Sequence, residues 1–178
     1  MKNMGKMIWD FAKTIVLALV IAFLVTSFVK PTLVSGNSMY PTIESNSYMI
    51  MSTIPYVKGM PEYGDIIVFN SHVYMENGKE KDFIKRVIGL PGDTISIHDG
   101  YVFRNGDKLE EDYINGGVTA GSMDEVVIQE DHVFVLGDNR VQGGSRDSRD
   151  PSIGQIAMED IIGKAVLRLY PFDQIGLM

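Results

Sequence analysis

An uncharged apolar stretch near the N-terminus most constrains this chain. Residues 14–29 read TIVLALVIAFLVTSFV, without a charged side chain, and Lys13 and Lys30 stand on either side. Extension back to Trp9, an aromatic residue of the kind found at membrane interfaces, gives about 20 residues, the length a helix needs to cross the hydrocarbon core. The two lysine stems can reach the polar interfaces. The stretch therefore predicts a single transmembrane helix.

Charge is unevenly distributed on the two sides of this stretch. Residues 1–30 hold four lysines and one aspartate, a balance of +3, and because the whole chain carries −7, residues 31–178 carry −10. Short basic segments favour the cytoplasmic side of a membrane. We therefore expect a cytoplasmic head and membrane anchor in 1–30 and an extracytoplasmic domain in 31–178. The alternative is a cleavable signal peptide, because the apolar core is short and small residues at 25–27 offer a processing site.

Composition excludes several classes of protein. The chain has 178 residues, of which 45% are hydrophobic, enough for one domain with a core. It has no cysteine, which rules out disulfides, thiol nucleophiles and iron–sulfur clusters. His72, His98 and His132 stand far apart without metal-ligand spacing, so we expect no metal and no cofactor. A pI near 4.9 argues against nucleic acid as a partner.

Residues 31–178 are predicted to be mainly β. Short apolar or alternating runs recur between Gly, Asn, Asp and Pro, and no sustained helical period appears. The dipeptides Asn77-Gly78, Asp99-Gly100 and Asn105-Gly106 predict tight reversals between strands. Candidate strands are 32–35, 48–53, 65–69, 83–88, 94–97, 101–104, 132–136 and 162–169. Residues 105–131 are acidic and weakly patterned, which indicates a small inserted subdomain, and 137–154 form a long polar loop of the kind that is usually functional or disordered.

A serine and a lysine are the first candidates for chemistry. Ser38 lies in the segment SGNSMYPT, residues 35–42, where Gly36 permits unusual backbone angles and Pro41 ends the preceding strand, so its hydroxyl would stand on a rigid bend. An ordinary serine-rich turn is the alternative. Lys85 lies within the apolar run 83–88, where period two places it beside Phe83 and Val87. Burial there would lower the pKa of its amine to about 7.5, within reach of a general base, whereas an ordinary strand lysine would reach solvent.

Several segments together resemble the type I signal peptidase family, the Ser/Lys membrane proteases that remove signal peptides from exported precursors. The matching segments are SGNSMYPT at 35–42, GDIIVF at 64–69, KRVIGLPGD at 85–93, VFRNGDKLEEDY at 102–113, GDNR at 137–140 and SRDSR at 145–149. Four residues separate GDNR from the following serine, where the family usually has two. The resemblance implies an antiparallel β-sheet catalytic domain of the signal peptidase type.

The resemblance also implies roles for individual residues. Ser38 would be the nucleophile, with its backbone N–H stabilising the oxyanion, and Lys85 would be the general base. Ser145 would hydrogen-bond to the lysine amine, while Asp147 and Arg149 would brace the loop through an ion pair. In some members a serine two residues before the nucleophile assists the oxyanion, but here that position is Gly36.

The implied substrates are signal-peptide-bearing secretory precursors, and the implied surroundings are the lipid bilayer and the secretion translocon. The precursor would lie extended against the strands, with small side chains in shallow apolar pockets. The candidate lining comprises Val34, Gly36, Met39, Asp82, Phe83 and Ile84.

Three other functions stay open at this point. The chain could be an inactive membrane-anchored homologue that acts as a binding module. A Ser/Lys self-cleaving repressor has a related β core, but it would need a DNA-binding helix-turn-helix and a soluble N-terminus. A Ser/His/Asp hydrolase would have to use His72 or His132, neither of which lies in a supporting motif.

Overall fold

The N-terminal unit is a single helix. A computed structural model of the protein describes residues 2–74 and 77–178, and the chain divides into two compact units, 1–30 and 31–178. Helix α1 spans Lys2–Phe28, and its part Met4–Phe28, 25 residues with a mean hydropathy of 2.3, is long and apolar enough to cross a membrane. Val29, the last residue of the apolar stretch, already begins the first strand.

The rest of the chain is β-rich, which confirms the predicted fold class. The strands are β1 Val29–Leu33, β2 Tyr48–Ser52, β3 Ile66–Tyr74, β4 Glu80–Gly89, β5 Thr94–His98, β6 Tyr101–Arg104, β7 Asp107–Lys108, β8 Met123–Val127, β9 His132–Leu136, β10 Ile156–Ala157, β11 Ile161–Tyr170 and β12 Gly176–Leu177. A short helix α2 spans Pro55–Lys58, and 3-10 turns span Met158–Asp160 and Phe172–Gln174.

Two sheets carry these strands. The larger has the order β1-β2-β11-β3-β4-β9-β10, with β12 paired to β11, and the pairs β2–β11, β11–β3, β3–β4 and β4–β9 are antiparallel. The smaller has the order β7-β6-β5-β8. It begins at Thr94, upstream of residue 105, where the sequence placed the start of an insertion.

Two of the three predicted glycine turns, Asp99-Gly100 and Asn105-Gly106, form hairpins of the small sheet. His98 pairs with Tyr101 and Arg104 with Asp107, so each turn contains two residues. Asp99 and Asn105 have φ of 53° and 56°, and the glycines after them have φ of 83° and 85°. Positive φ at both central positions is the geometry that Asp-Gly and Asn-Gly favour. Both of these turn predictions are confirmed.

Strand β8 was not among the candidate strands. Its burial follows the pattern partly buried, exposed, exposed, partly buried, exposed, because its register with β5 shifts between Ile95 and Ile97. The shift removes the period-two signal, and Asp124 and Glu125 make the segment look like a polar loop. The weak patterning of this region is therefore typical of an irregular edge strand.

Apolar side chains of the strands pack into three buried clusters. One joins the small sheet to β4 and β9 and contains Ile88, Ile95, Ile97, Val102, Ile128, Phe134 and Leu136. A second lies along β3, β4 and β9. The third contains Val34, Met39, Ile43, Met49, Ile66 and Ala165. Full burial of each large side chain is worth about 1.5–3 kcal/mol, so the third cluster firmly holds the segment 34–43, which carries Ser38.

Candidate active site

Ser38 lies in a turn that is fixed to the core. The Tyr40 N–H donates to the Asn37 carbonyl at 3.1 Å, which closes the turn, and the Ile43 N–H donates to the Met39 carbonyl at 2.8 Å. Gly36 has a φ of 100°, a conformation that other residues rarely adopt. The Met39 side chain is only 1% exposed. A core residue therefore directly follows Ser38, whose own side chain is half-buried.

Lys85 reaches this turn from the middle of β4. It pairs in register with Ile67 of β3, and its side chain is 3% exposed. Its Nζ lies 2.8 Å from Ser38 Oγ and 2.8 Å from the carbonyl oxygen of Ile84. The Phe83 ring centre lies 5.0 Å from the same nitrogen. The amine is thus confined between a hydroxyl, a carbonyl and an aromatic ring.

Burial lowers the pKa of Lys85 to about 8. Loss of hydration disfavours the ammonium form and is the largest cause. Asp147 and Asp138 raise the pKa, while the positive charge of Lys81 lowers it. A substantial fraction of the amine is therefore neutral near pH 8, and a neutral amine in hydrogen-bond contact can accept the proton of the serine hydroxyl.

Gly137 brings the polar loop against Ser38. A Cβ at this position would collide with the Ser38 carbonyl oxygen and with Ser145 Oγ, and would lie 2.6 Å from Ser145 Cβ. Only glycine fits between them. The loop therefore packs directly against the Ser38 backbone at this position.

Ser145 is beside the site but does not bond to the lysine amine. Its Oγ is buried and makes no hydrogen bond of good geometry among residues 2–74 and 77–178, although its interaction with the Asp147 carboxylate helps to lower the pKa of that group. The hydrogen bonds described for Lys85 Nζ go to Ser38 and Ile84 instead. The expected Ser145 to Lys85 bond is thus not formed, because the loop packs the hydroxyl over the Gly137 α-carbon.

Asp147 and Arg149 form the expected ion pair. Arg149 Nε and Nη2 donate to the two carboxylate oxygens at 2.8 and 2.9 Å, and the Gly137 N–H donates to Asp147 Oδ2 at 3.0 Å. Burial by itself would raise the pKa of Asp147, but the hydrogen bonds and charge of Arg149 together with the Gly137 N–H hold it below its usual value. Asp147 is 1% exposed and stays ionised, so it ties the loop to the Gly137 backbone.

Two further ion pairs support this region, and sequence reasoning assigned neither. Arg86 Nε and Nη2 donate to Asp138 at 2.9 and 2.7 Å, and the guanidinium lies 4.0 Å above the Tyr113 ring centre. Arg140 donates to Glu111 at 2.6 and 2.9 Å and to the Gly137 carbonyl at 2.7 Å. All six of these residues belong to the segments KRVIGLPGD, GDNR and VFRNGDKLEEDY, which were the signal available in the sequence.

A groove of about 540 Å³ opens beside Ser38 and Lys85. Five of the six candidate substrate contacts line it, namely Val34, Gly36, Asp82, Phe83 and Ile84. Leu33, Met51 and Val68 add apolar surface, and Lys81 and Arg146 add charge. Met39 does not line the groove, which corrects the sequence expectation, because its side chain points into the core cluster with Ile43 and Met49.

The backbone N–H of Ser38 is available for an oxyanion. It donates to no acceptor within the described part of the chain. The same residues contain no group of three His, Asp or Glu side chains that could hold a metal ion. The arrangement thus offers a hydroxyl, a low-pKa amine and a free backbone donor at one end of an apolar groove.

Comparison with known proteins gives consistent matches. The family model described as "Signal peptidase, peptidase S26" matches residues 8–170. A "Signal peptidase I" of Leptolyngbya laminosa is 39% identical over 168 residues, covering 92% of this chain and 80% of that one. "Signal peptidase I S" of Bacillus subtilis is 33% identical over 182 residues, covering 96% and 93%. The crystal structure of a signal peptidase I from Enterococcus faecalis is 29% identical with a TM-score of 0.47, covering 59% of this chain and 96% of that one.

Proposed function

The chain belongs to the signal peptidase family, peptidase S26, and from that premise we propose that it is a membrane-anchored serine endopeptidase that removes signal peptides from exported precursors. The observation that carries the proposal is the 2.8 Å contact between Ser38 Oγ and Lys85 Nζ, formed by a lysine that is 3% exposed. A nucleophile in contact with a base of matched pKa is what acyl transfer requires.

The reaction proceeds through an acyl-enzyme. Neutral Lys85 takes the proton of Ser38 as Oγ attacks the scissile carbonyl, and the Ser38 N–H stabilises the resulting oxyanion. The lysine ammonium then gives its proton to the leaving amine as the peptide C–N bond breaks. Lys85, neutral again, takes a proton from water, and the hydroxide attacks the ester carbonyl. The ester C–O bond breaks, the acid product leaves, and the proton returns to Ser38.

Three loop residues position this pair. Asp147, paired with Arg149, accepts a hydrogen bond from the Gly137 N–H, and Gly137 packs closely against the Ser38 turn. The Ser145 hydroxyl is buried at the same glycine, beside the Asp147 carboxylate. The loop thereby keeps the Ser38 hydroxyl within hydrogen-bond distance of the Lys85 amine.

The groove fits an extended peptide with small side chains. Main-chain hydrogen bonds to strand residues provide affinity without regard to sequence, and pocket size selects side chains. Val34, Phe83 and Ile84 bound the apolar part of the groove next to Ser38. Residues of the precursor just before the cleaved bond would occupy this part.

The anchor confines the enzyme to the surface where its substrates emerge. We place residues 1–30 as cytoplasmic head and anchor and 31–178 as the extracytoplasmic catalytic domain, because the short basic head favours the cytoplasmic side. Tethering to the bilayer raises the effective concentration of enzyme and membrane-held precursor toward each other. The bilayer and the secretion translocon are the expected surroundings.

The test is cleavage of a purified secretory precursor by the full-length protein in detergent micelles. Wild type should release the mature protein, whereas Ser38→Ala and Lys85→Ala should each be slower by about 10³-fold or more. Ser96→Ala, a partly exposed hydroxyl on β5 of the small sheet that does not line the groove, is the matched control and should stay active. Inactive wild type on several precursors would favour a binding module, and an active Lys85→Ala protein would exclude the Ser/Lys mechanism.

A further inference from the structure

Asn139 donates hydrogen bonds to the peptide units on both sides of Ser38. Its side-chain Nδ2 donates to the Asn37 carbonyl oxygen at 3.0 Å, and its backbone N–H donates to the Ser38 carbonyl oxygen at 3.1 Å. The residue is only 9% exposed. No other residue of the polar loop is described with hydrogen bonds to both carbonyls. Asn139 thus connects the loop to the backbone, not to the side chain, of Ser38.

The orientation of the Asn139 amide is fixed by its two partners. The Asn37 carbonyl can only accept, so the nitrogen must face it. Asn115 Nδ2 donates to Asn139 Oδ1 at 3.3 Å, so the oxygen faces a donor. A flipped amide would place oxygen against oxygen on one side and nitrogen against nitrogen on the other. Gly144 packs beside this amide, where a larger residue would not fit, because a Cβ there would lie 2.6 Å from Asn139 Oδ1.

The Asn37 carbonyl and the Ser38 N–H belong to one planar peptide unit. In a trans peptide the C=O and N–H bonds point in opposite directions. The Asn37 oxygen accepts from the Tyr40 N–H within the turn and from Asn139 Nδ2 of the polar loop, and the two donors together fix the direction of the Ser38 N–H on the opposite side of that plane. They also polarise the unit, which strengthens the N–H as a donor.

We propose that Asn139 is a positioning residue that aims the Ser38 N–H at the oxyanion of the transition state. The inference rests on the proposed function, in which Ser38 is the nucleophile and its N–H the oxyanion donor. Gly36 has no hydroxyl that could share this task two residues before Ser38. Stabilisation of the oxyanion therefore depends on the direction of the Ser38 N–H. The interaction acts in the transition state and contributes little to binding of intact substrate.

The experiment compares Asn139→Ala with wild type in the full-length protein, using one precursor and measuring kcat, KM and the pH profile. We expect kcat to fall by about 10 to 100-fold, because a misdirected donor loses part of the effect of a deleted one. KM should stay within about twofold of wild type, and the acid midpoint of kcat/KM should not move, because Asn139 makes no described contact with Lys85. Asn115→Ala, which removes only the outer hydrogen bond, is the matched control and should lose about threefold or less.

Two results would overturn this inference. An unchanged kcat in Asn139→Ala would remove the positioning role, and a fall in kcat accompanied by a shifted midpoint would place the effect on Lys85. Asn139→Asp, which keeps the shape but cannot donate, replaces the alanine variant if thermal unfolding shows that the latter does not fold. The kcat of Asn139→Asp is measured at the pH optimum of that variant, and an unchanged kcat would again remove the positioning role. Failure of the proposed function is separate, since wild type itself would then not cleave.

Discussion

Lys85 Nζ donates a 2.8 Å hydrogen bond to the carbonyl oxygen of Ile84, the residue before it on the same strand. A neutral amine has two N–H bonds and one lone pair. With one N–H held by Ile84, the nitrogen is oriented so that its lone pair can accept the Ser38 hydroxyl proton at 2.8 Å. The main chain of β4 thus orients the proposed base.

Activity should rise with pH through the pKa of Lys85. Burial lowers that pKa to about 8, and in the proposed mechanism the neutral form is the active one. We expect kcat/KM to increase about tenfold per pH unit below the midpoint and to level off above it. Steady-state cleavage of a precursor between pH 6 and 10 measures this profile. A midpoint near 10.4, the value of a solvated lysine, would contradict a buried base.

Asp147→Asn should move the same midpoint to lower pH while reducing the rate. The Asp147 carboxylate raises the pKa of Lys85 and so opposes the effect of burial. A neutral amide removes this opposing charge, and the pKa of Lys85 falls further. The rate should fall because the ion pair with Arg149 is lost. Asp150→Asn is the control: this carboxylate of the same loop pairs with Arg146, and its removal should leave the midpoint in place. An upward shift in Asp147→Asn would contradict the charge effect.

Gly137→Ala should reduce kcat/KM by about 100-fold, because the added methyl group forces apart the Ser38 carbonyl and Ser145, and a displacement of about 1 Å at the nucleophile has costs of this size. Gly176→Ala offers the comparison, since its Cβ would meet nothing within 4 Å and its φ is ordinary. Precursor cleavage and thermal unfolding of both variants give the result. Equal activities would show that the loop does not press on the turn.

Glu111→Ala should destabilise residues 31–178 by about 3–5 kcal/mol, because it leaves Arg140, which is fully buried, as an unpaired cation. Urea unfolding in detergent, monitored by circular dichroism, measures the change in the free energy of unfolding. Glu110→Ala removes a neighbouring exposed carboxylate and should change the free energy of unfolding by less than about 0.5 kcal/mol. Similar midpoints for the two variants would mean that the buried pair contributes nothing.

The burial of Lys85 was predictable because its strand neighbours are apolar. Alternation in 83–88 leaves a cation on that strand no exposed face, and the side chain is 3% exposed. The choice of Ser38 and Lys85 as candidates did not depend on their distance in the chain, because the segment around each residue has a local pattern of its own. That the two side chains meet at 2.8 Å required the pairing of strands far apart in sequence.

Side-chain directions in irregular segments were not predictable in this way. Met39 was expected in the groove but points into the core, because a turn has no fixed alternation to assign its faces. Ser145 faces Gly137 and not the lysine for a similar reason: the loop that holds it follows no period. The side-chain hydrogen bond from Asn139 to Asn37 joins residues 102 positions apart, so local sequence carries no sign of it.

Met39, next to Ser38, has its side chain in the cluster with Ile43, Met49 and Ala165. We expect packing defects there to displace Ser38 Oγ, the proposed nucleophile, by fractions of an ångström before the domain unfolds. In a genetic screen for impaired secretion, conservative changes at these hydrophobic positions would score alongside changes of polar residues. A mutational map of this enzyme will therefore extend its apparent catalytic centre well into the interior.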